Sequence, residues 1–303
     1  MLFLDGVGIG VKDPAVNPLF AARMPALRSL LGGDLPSLGR RRIRHGASAV
    51  LPLDATLGVP GLPQSGTGQT SLFTGANGAV LAGKHFGPHP YSTLKPVIAA
   101  RSIFRRLRDE GKSPLFANAF PRRFFDYVNA HRSRMSVTTL SCATSGVPLL
   151  GAEELARGKA VSADITSAGW HALGYPDIPV IPAAEAGKRL SRLSREHDFV
   201  LFEYWKTDKA GHAMNARESV SVLETFDAML GGILDALDTD GTLLLLTSDH
   251  GNIEDLTTKT HTRHPVPLIL YGQGALLFAD RFEPGADLTA VTPLLLEYLS
   301  GRV

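Results

Sequence analysis

Six side chains of this sequence have the types and positions to hold metal ions: Asp5, Asp208, His212, Asp249, His250 and His261. Each stands at or just beyond a short apolar run. Asp5 follows "MLFL"; Asp208 and His212 lie in "TDKAGH", shortly after "DFVLFEY"; Asp249 and His250 follow "TLLLLTS"; and His261 precedes "VPLILYG". Asp208 and His212 are four residues apart, so on one helical turn they share a face and can grip one ion. Asp249 and His250 are adjacent and leave a strand in different directions, which suits a pair of neighbouring ions. Carboxylate and imidazole without thiolate favour Zn²⁺ or Mn²⁺. A lone Asp or His at a strand end is more often a helix cap or a surface residue, and a single D-x-x-x-H pair is weak evidence. Six such residues at strand ends make a metal centre the expectation.

A metal centre needs something to act on. Residues 63–75 read "PQSGTGQTSLFTG", with Ser65 in a Gly-containing turn before an apolar segment that reads as a helix start. Backbone N–H groups and the helix dipole favour anions there. A hydroxyl beside a metal can also be activated as a nucleophile. Taken alone, the segment reads as an ordinary capping serine. Lys84, Lys206, Lys209 and the Arg122–Arg123 pair are candidates to clamp an anionic substrate, and Arg132 and Arg134 extend the same basic stretch.

The elements that must position these groups alternate along the chain. Apolar runs at 1–4, 113–120, 198–204, 242–248 and 266–272 read as strands buried on both faces, and helical patterns fill 97–110, 183–196, 216–237 and 289–300. The expected fold is α/β, a doubly wound and mainly parallel sheet between helices, with the site beyond the carboxyl ends of its strands. Region 121–182 breaks the rhythm, with one clear helical piece near "GAEELARGKA", and is expected to be a small cap or insertion on a core formed by 1–120 and 183–303.

Composition narrows the function classes. The 303 residues carry a formal net charge of +2, too little to make nucleic acid the default partner. Cys142 is the only cysteine, so no intrachain disulfide and no Cys-based metal site is expected. No apolar run approaches the ~20 residues of a membrane span, and "MLFLDGVGIG" lacks a signal-peptide pattern. A soluble, cytoplasmic protein is expected; its oligomeric state is not legible. "GVGIG" lacks the full dinucleotide-binding spacing, and "GAVLAGKH" has His85 where a phosphate loop needs Ser or Thr.

Together these motifs resemble the alkaline phosphatase superfamily of two-metal enzymes, nearest its cofactor-independent phosphoglycerate mutase and phosphopentomutase branch. "LDGVGIG", "TDKAGH", "SDHGNIE" and "HTRHPVP" are similar to that branch's ligand motifs, and "QSGTGQTSLFTG" to its nucleophile turn. The resemblance implies one divalent ion, Mn²⁺ or Zn²⁺, on Asp208, His212 and His261. It implies a second on Asp5, Asp249, His250 and the Ser65 oxygen. His264 falls at a position that is not a ligand in the family, and is expected behind the ligands or facing substrate. The implied function is phosphoryl transfer on a small phosphorylated substrate, with Ser65 passing through a phosphoserine.

The sequence departs from the mutases in two places. Gln69 stands where they carry histidine, and 121–182 is short for a lid that must exclude water; the short cap favours hydrolysis over isomerisation. A phosphomonoester hydrolase is therefore expected. The alternative is a phosphomutase resembling the phosphoglycerate or phosphopentose enzymes; a non-catalytic metal-binding descendant is disfavoured by the intact ligand set.

Overall fold

The computed structural model describes residues 1–130 and 134–301; Arg132 lies outside them. The strands are β1 (Leu2–Leu4), β2 (Ile43–His45), β3 (Ser48–Leu53), β4 (Pro114–Phe116), β5 (Asn118–Ala119), β6 (Val161–Ser162), β7 (Phe199–Tyr204), β8 (Leu243–Thr247) and β9 (Val266–Gly272). The longer helices are α1 (Ser65–Thr74), α2 (Arg122–Ala130), α3 (Val137–Ser145), α4 (Ala183–Glu196), α5 (Lys206–Ala213), α6 (Ala216–Ala236) and α7 (Val291–Leu299). Local chemistry sets several of their ends. Asn215 accepts from the Glu218 N–H at the start of α6 and Ser136 from the Thr139 N–H at the start of α3. Gly75 and Gly146, both with positive φ, close α1 and α3.

The main sheet runs β2-β3-β9-β8-β1-β7-β4. β4, β7, β1 and β8 are mutually parallel, with Leu4 opposite Tyr204 and Leu2 opposite Leu246. β9 turns back antiparallel to β8, and β3 and β2 continue antiparallel beyond it. The sheet is thus parallel only in the half that carries Asp5 and the α5 ligands. A parallel step from β8 to β9 would need a crossover, usually a helix. The connection 248–265 forms none; it holds the ligand residues and returns to the edge it left.

Alternation along the strands feeds two cores. Leu2, Leu4, Phe202 and Leu246 pack on the face covered by α4 and α6, whereas Phe3, Leu201 and Leu245 pack on the face covered by α1, α3 and α7. The apolar runs were continuous because both faces are buried.

Segment 121–182 holds α2, α3 and the short helix Ala152–Ala156, more helix than its sequence suggested. Val137 and Cys142 of α3 join one core, and Leu155, Val161, Ile165 and Trp170 join the other. The expected helix 97–110 is two helices, Lys95–Arg101 and Ile103–Asp109, because Ser102 adopts an extended conformation and its hydroxyl caps the second.

Candidate metal centre

Asp5 leaves the end of β1, and its N–H bonds the Tyr204 carbonyl of β7. Asp208 and His212 ride on α5, which starts two residues after β7. Asp249 and His250 follow β8, His261 lies in the loop before β9, and Ser65 is the first residue of α1. All seven converge at one edge of the sheet. Ligand atoms of Asp208, His212 and His261 lie within 4.8 Å of one another, as do those of Asp5, Asp249 and His250. Ser65 Oγ is 3.0 Å from His250 Nε2. The imidazoles of His250 and His261 stack at 3.7 Å, joining the two clusters.

The donor chemistry of the first cluster fits a cation. His212 Nδ1 lies 2.7 Å from the Lys259 carbonyl and His261 Nδ1 2.7 Å from the Pro63 carbonyl. A carbonyl only accepts, so both Nδ1 atoms carry protons, and in the neutral rings both Nε2 atoms present lone pairs. Those two Nε2 atoms face each other at 3.2 Å, with the Asp208 carboxylate 3.3 and 3.5 Å away. Two neutral imidazoles have no hydrogen bond to make in that arrangement. A divalent ion gives both lone pairs and the carboxylate a partner.

The second cluster has an excess of buried acid. Asp249 and His250 are fully buried, and Asp5 Oδ1 is buried without a well-directed hydrogen bond, its nearest neighbour being His250 Nε2 at 3.3 Å. Burial, reinforced by Asp249, holds the Asp5 carboxyl well above the carboxylate range. Burial opposes a charged His250, but Asp249 and Asp5 override it and push the imidazole up to about 10. The Asp249 carboxylate acts in both shifts, favouring a proton on Asp5 and on His250. His261 moves the other way, lowered by burial and then by His250, which keeps it neutral.

Residues outside the ligand set hold it in place. The Gln69 amide donates to Asp249 Oδ2 at 3.1 Å and lies 3.5 Å from Asp5 Oδ2; its own Oε1 is buried without a partner. Asn252 donates to Asp208 Oδ1 at 2.6 Å. Fully buried Glu254 accepts from the N–H groups of Gly8 (2.9 Å) and Asn252 (2.7 Å) and from the Thr262 hydroxyl, with His264 Nδ1 3.1 Å away. It ties the loop after β1 to the loop after β8. The glycines of "GVGIG" allow this approach: a Cβ on Gly8 would stand 2.3 Å from Glu254 Oε1, and one on Gly6 2.6 Å from Asp208 Oδ1. Sequence reasoning missed Glu254, Asn252 and Glu203. Glu203 is buried in β7, receives the Thr138 hydroxyl at 2.6 Å, and is pushed up to about 7 by burial.

The expected substrate-facing residues divide. Lys206 and Arg123 line a common cleft of about 790 Å³ beside the ends of β4 and β7. Arg122 is exposed beside it and Lys209 points from α5 into solvent. Lys84 lies in another depression, over the Phe86 ring. His264 is half-buried against Glu254, whose hydrogen bond raises its pKa.

Residues 182–301 match the family model described as Metalloenzyme superfamily. The chain is similar to 2,3-bisphosphoglycerate-independent phosphoglycerate mutases. It is 33% identical to that of Methylobacillus flagellatus over 132 residues (40% of this chain, 25% of the relative). It is 33% identical to that of Pyrococcus abyssi over 87 residues (29% and 21%). The chain therefore spans about a quarter of the length of the curated relatives it matches. In fold it is similar to the Thermus thermophilus alkaline phosphatase (TM-score 0.56, 14% identity, 100% of this chain and 91% of that one). The same holds for the alkaline phosphatase of the Antarctic bacterium TAB5 (TM-score 0.55, 12% identity, 99% and 97%).

Proposed function

We propose that this chain, a member of the alkaline phosphatase superfamily of metalloenzymes close to the cofactor-independent phosphoglycerate mutase branch, is a phosphomonoester hydrolase that works through a phosphoserine on Ser65. The observation that carries the reading is the placement of Ser65 Oγ, 3.0 Å from His250 Nε2 at the first residue of α1, beside the Asp5–Asp249–His250 cluster. We assign Asp208, His212 and His261 to one divalent ion and Asp5, Asp249, His250 and Ser65 to the other, with Mn²⁺ or Zn²⁺ as the metals. When bound, such a pair supplies Lewis-acid stabilisation to the attacking and leaving oxygens and lowers the pKa of a bound hydroxyl.

The residues of the chain supply the rest. Ser65 Oγ forms a bond to phosphorus while the bond from phosphorus to the substrate alcohol breaks, and the serine proton ends on the departing oxygen. Water then attacks phosphorus from the opposite side, the Oγ–P bond breaks, and Ser65 regains a proton as inorganic phosphate leaves. The N-terminal turn of α1 offers main-chain N–H groups to the phosphoryl oxygens. Gln69 and Asn252 hold Asp249 and Asp208 in position throughout.

As a division of the chain we propose 1–120 with 183–303 as the catalytic core and 121–182 as an insertion forming one wall of the cleft. Hydrolysis is favoured over a mutase because this insertion is short and packs Val137, Cys142, Leu155, Val161, Ile165 and Trp170 into the cores, while Trp205 at the edge of the cleft is 41% exposed. The mutase reading draws on the sequence relatives. The deciding experiment loads the full chain with Mn²⁺ or Zn²⁺ and follows small phosphomonoesters. Release of inorganic phosphate, abolished by EDTA, is expected. Interconversion of 2- and 3-phosphoglycerate without free phosphate overturns hydrolysis in favour of the mutase.

A further inference from the structure

The cleft beside the metal residues is aromatic. Phe120 and Phe124 stack face to face at 4.0 Å on one side, and Trp170 and Trp205 line it with them. Arg123 and Lys206, which make no ion pair among the described residues, stand in the same lining. Asp164 is occupied, accepting from the Ser162 hydroxyl and the Ser167 and Gly169 N–H groups. A small aliphatic anion such as a glycerate phosphate has no use for four aromatic rings. A planar ring does, because aromatic faces reward stacking and edge contacts beyond area burial.

The cleft also adjoins the ligand residues. Glu203 of its lining sits on β7 opposite Phe3 of β1, two residues before Asp5. Trp205 and Lys206 of the same lining lead into α5, which carries Asp208 two residues further on.

Resting on the phosphomonoester reading above, we infer that the substrate is a phosphate monoester whose alcohol carries an aromatic ring, with the ring held between Phe120–Phe124 and Trp205 while the phosphate meets Ser65. Arg123 and Lys206 of the lining offer cationic groups, free of ion pairs among the described residues, to such an anionic ester.

The test compares esters of equal leaving-group type: benzyl phosphate against glycerol 1-phosphate, on the metal-loaded full chain. KM for benzyl phosphate is expected about tenfold or more below that for glycerol phosphate, and Phe124→Ala and Trp205→Ala should each bring the ratio towards one. Equal KM values for the two esters, or a ratio that survives both substitutions, overturns the inference. Binding is read separately with non-hydrolysable benzylphosphonate. Both tryptophans of the chain line the cleft, so saturable quenching of intrinsic fluorescence, reduced in Trp205→Ala, is expected. If benzylphosphonate binds in this way and no ester releases phosphate, the hydrolase reading fails and the ring site stands. If esters turn over and benzylphosphonate leaves the fluorescence unchanged, the ring site fails alone.

Discussion

His212 and His261 face one another Nε2 to Nε2 at 3.2 Å, while each donates its Nδ1 proton to a main-chain carbonyl at 2.7 Å. The carbonyls fix both tautomers, so the lone pairs are aimed at a common point before any ion arrives. Divalent metal should therefore bind and stabilise the fold. Calorimetric titration of EDTA-stripped protein with Mn²⁺ or Zn²⁺ is expected to give two sites, and saturation to raise Tm by about 5 °C or more. His261→Ala should weaken one site at least about tenfold and leave the other measurable. Stoichiometry of zero, or a Tm indifferent to metal, would sink the assignment.

Ser65→Ala tests the nucleophile. Turnover should fall about 10³-fold or more, because the covalent route is lost. Metal binding should persist, with only the Asp5–Asp249–His250 site weakened by loss of one oxygen. A variant that retains the parent rate moves the nucleophile elsewhere, and Thr67 is the next hydroxyl on the turn.

Glu203 gives a pH dependence. Burial, with Asp249 adding to it, raises its folded pKa from an ordinary 4.5 to about 7. The stability linked to the neutral carboxyl is complete below pH 4.5 and lost as pH rises towards 7, on the order of 3 kcal/mol. Asp5 and His250 are also raised and act in the same sense. Urea denaturation of the metal-free protein from pH 4.5 to 7.5 should show falling stability, and Glu203→Gln should flatten part of that fall. Parallel curves for parent and variant would remove Glu203 as a contributor.

Glu254 should behave as a latch between the two ligand loops. Glu254→Ala leaves the Gly8 and Asn252 N–H groups buried without acceptors, at a cost of about 3 kcal/mol. Gly8→Ala should cost a similar amount, since its Cβ would meet the same carboxylate. Both variants are expected to weaken metal binding along with stability in chemical denaturation. A Gly8→Ala protein as stable as the parent would contradict the close approach.

Much of this was legible because burial leaves simple patterns. β9 falls where "VPLILYG" places it, and α4 spans the expected 183–196. β3 was missed. "SAVLPL" contains Pro52, which argues against an internal strand. In the sheet Pro52 faces Pro267 of β9. Opposed residues alternate between bonded and non-bonded pairs in an antiparallel ladder, so two prolines facing each other forfeit no bond. The antiparallel return of β9 had no local signal, because its direction follows from where loop 248–265 must end. At the site, the ligand candidates came together since each lies in a segment that leaves or enters a strand at the same end of the sheet. Glu254 was invisible because a carboxylate in a polar loop reads as solvated until its donors are seen. Glu203 did leave a trace: the single acid within the strand "FVLFEY", whose residues are all buried.

The antiparallel pair of β8 and β9 has a consequence for the order of assembly. The two strands and the loop between them form a local hairpin, whose contacts close early at little entropic cost. Asp5 joins only when β1 inserts between β7 and β8, a pairing of residues some 200 positions apart, and Asp208 arrives with β7. A complete ion site thus exists only after the most distant contacts have formed. Metal would then do little to hasten folding and much to slow unfolding, acting as a late lock whose loss shortens the lifetime of the native chain.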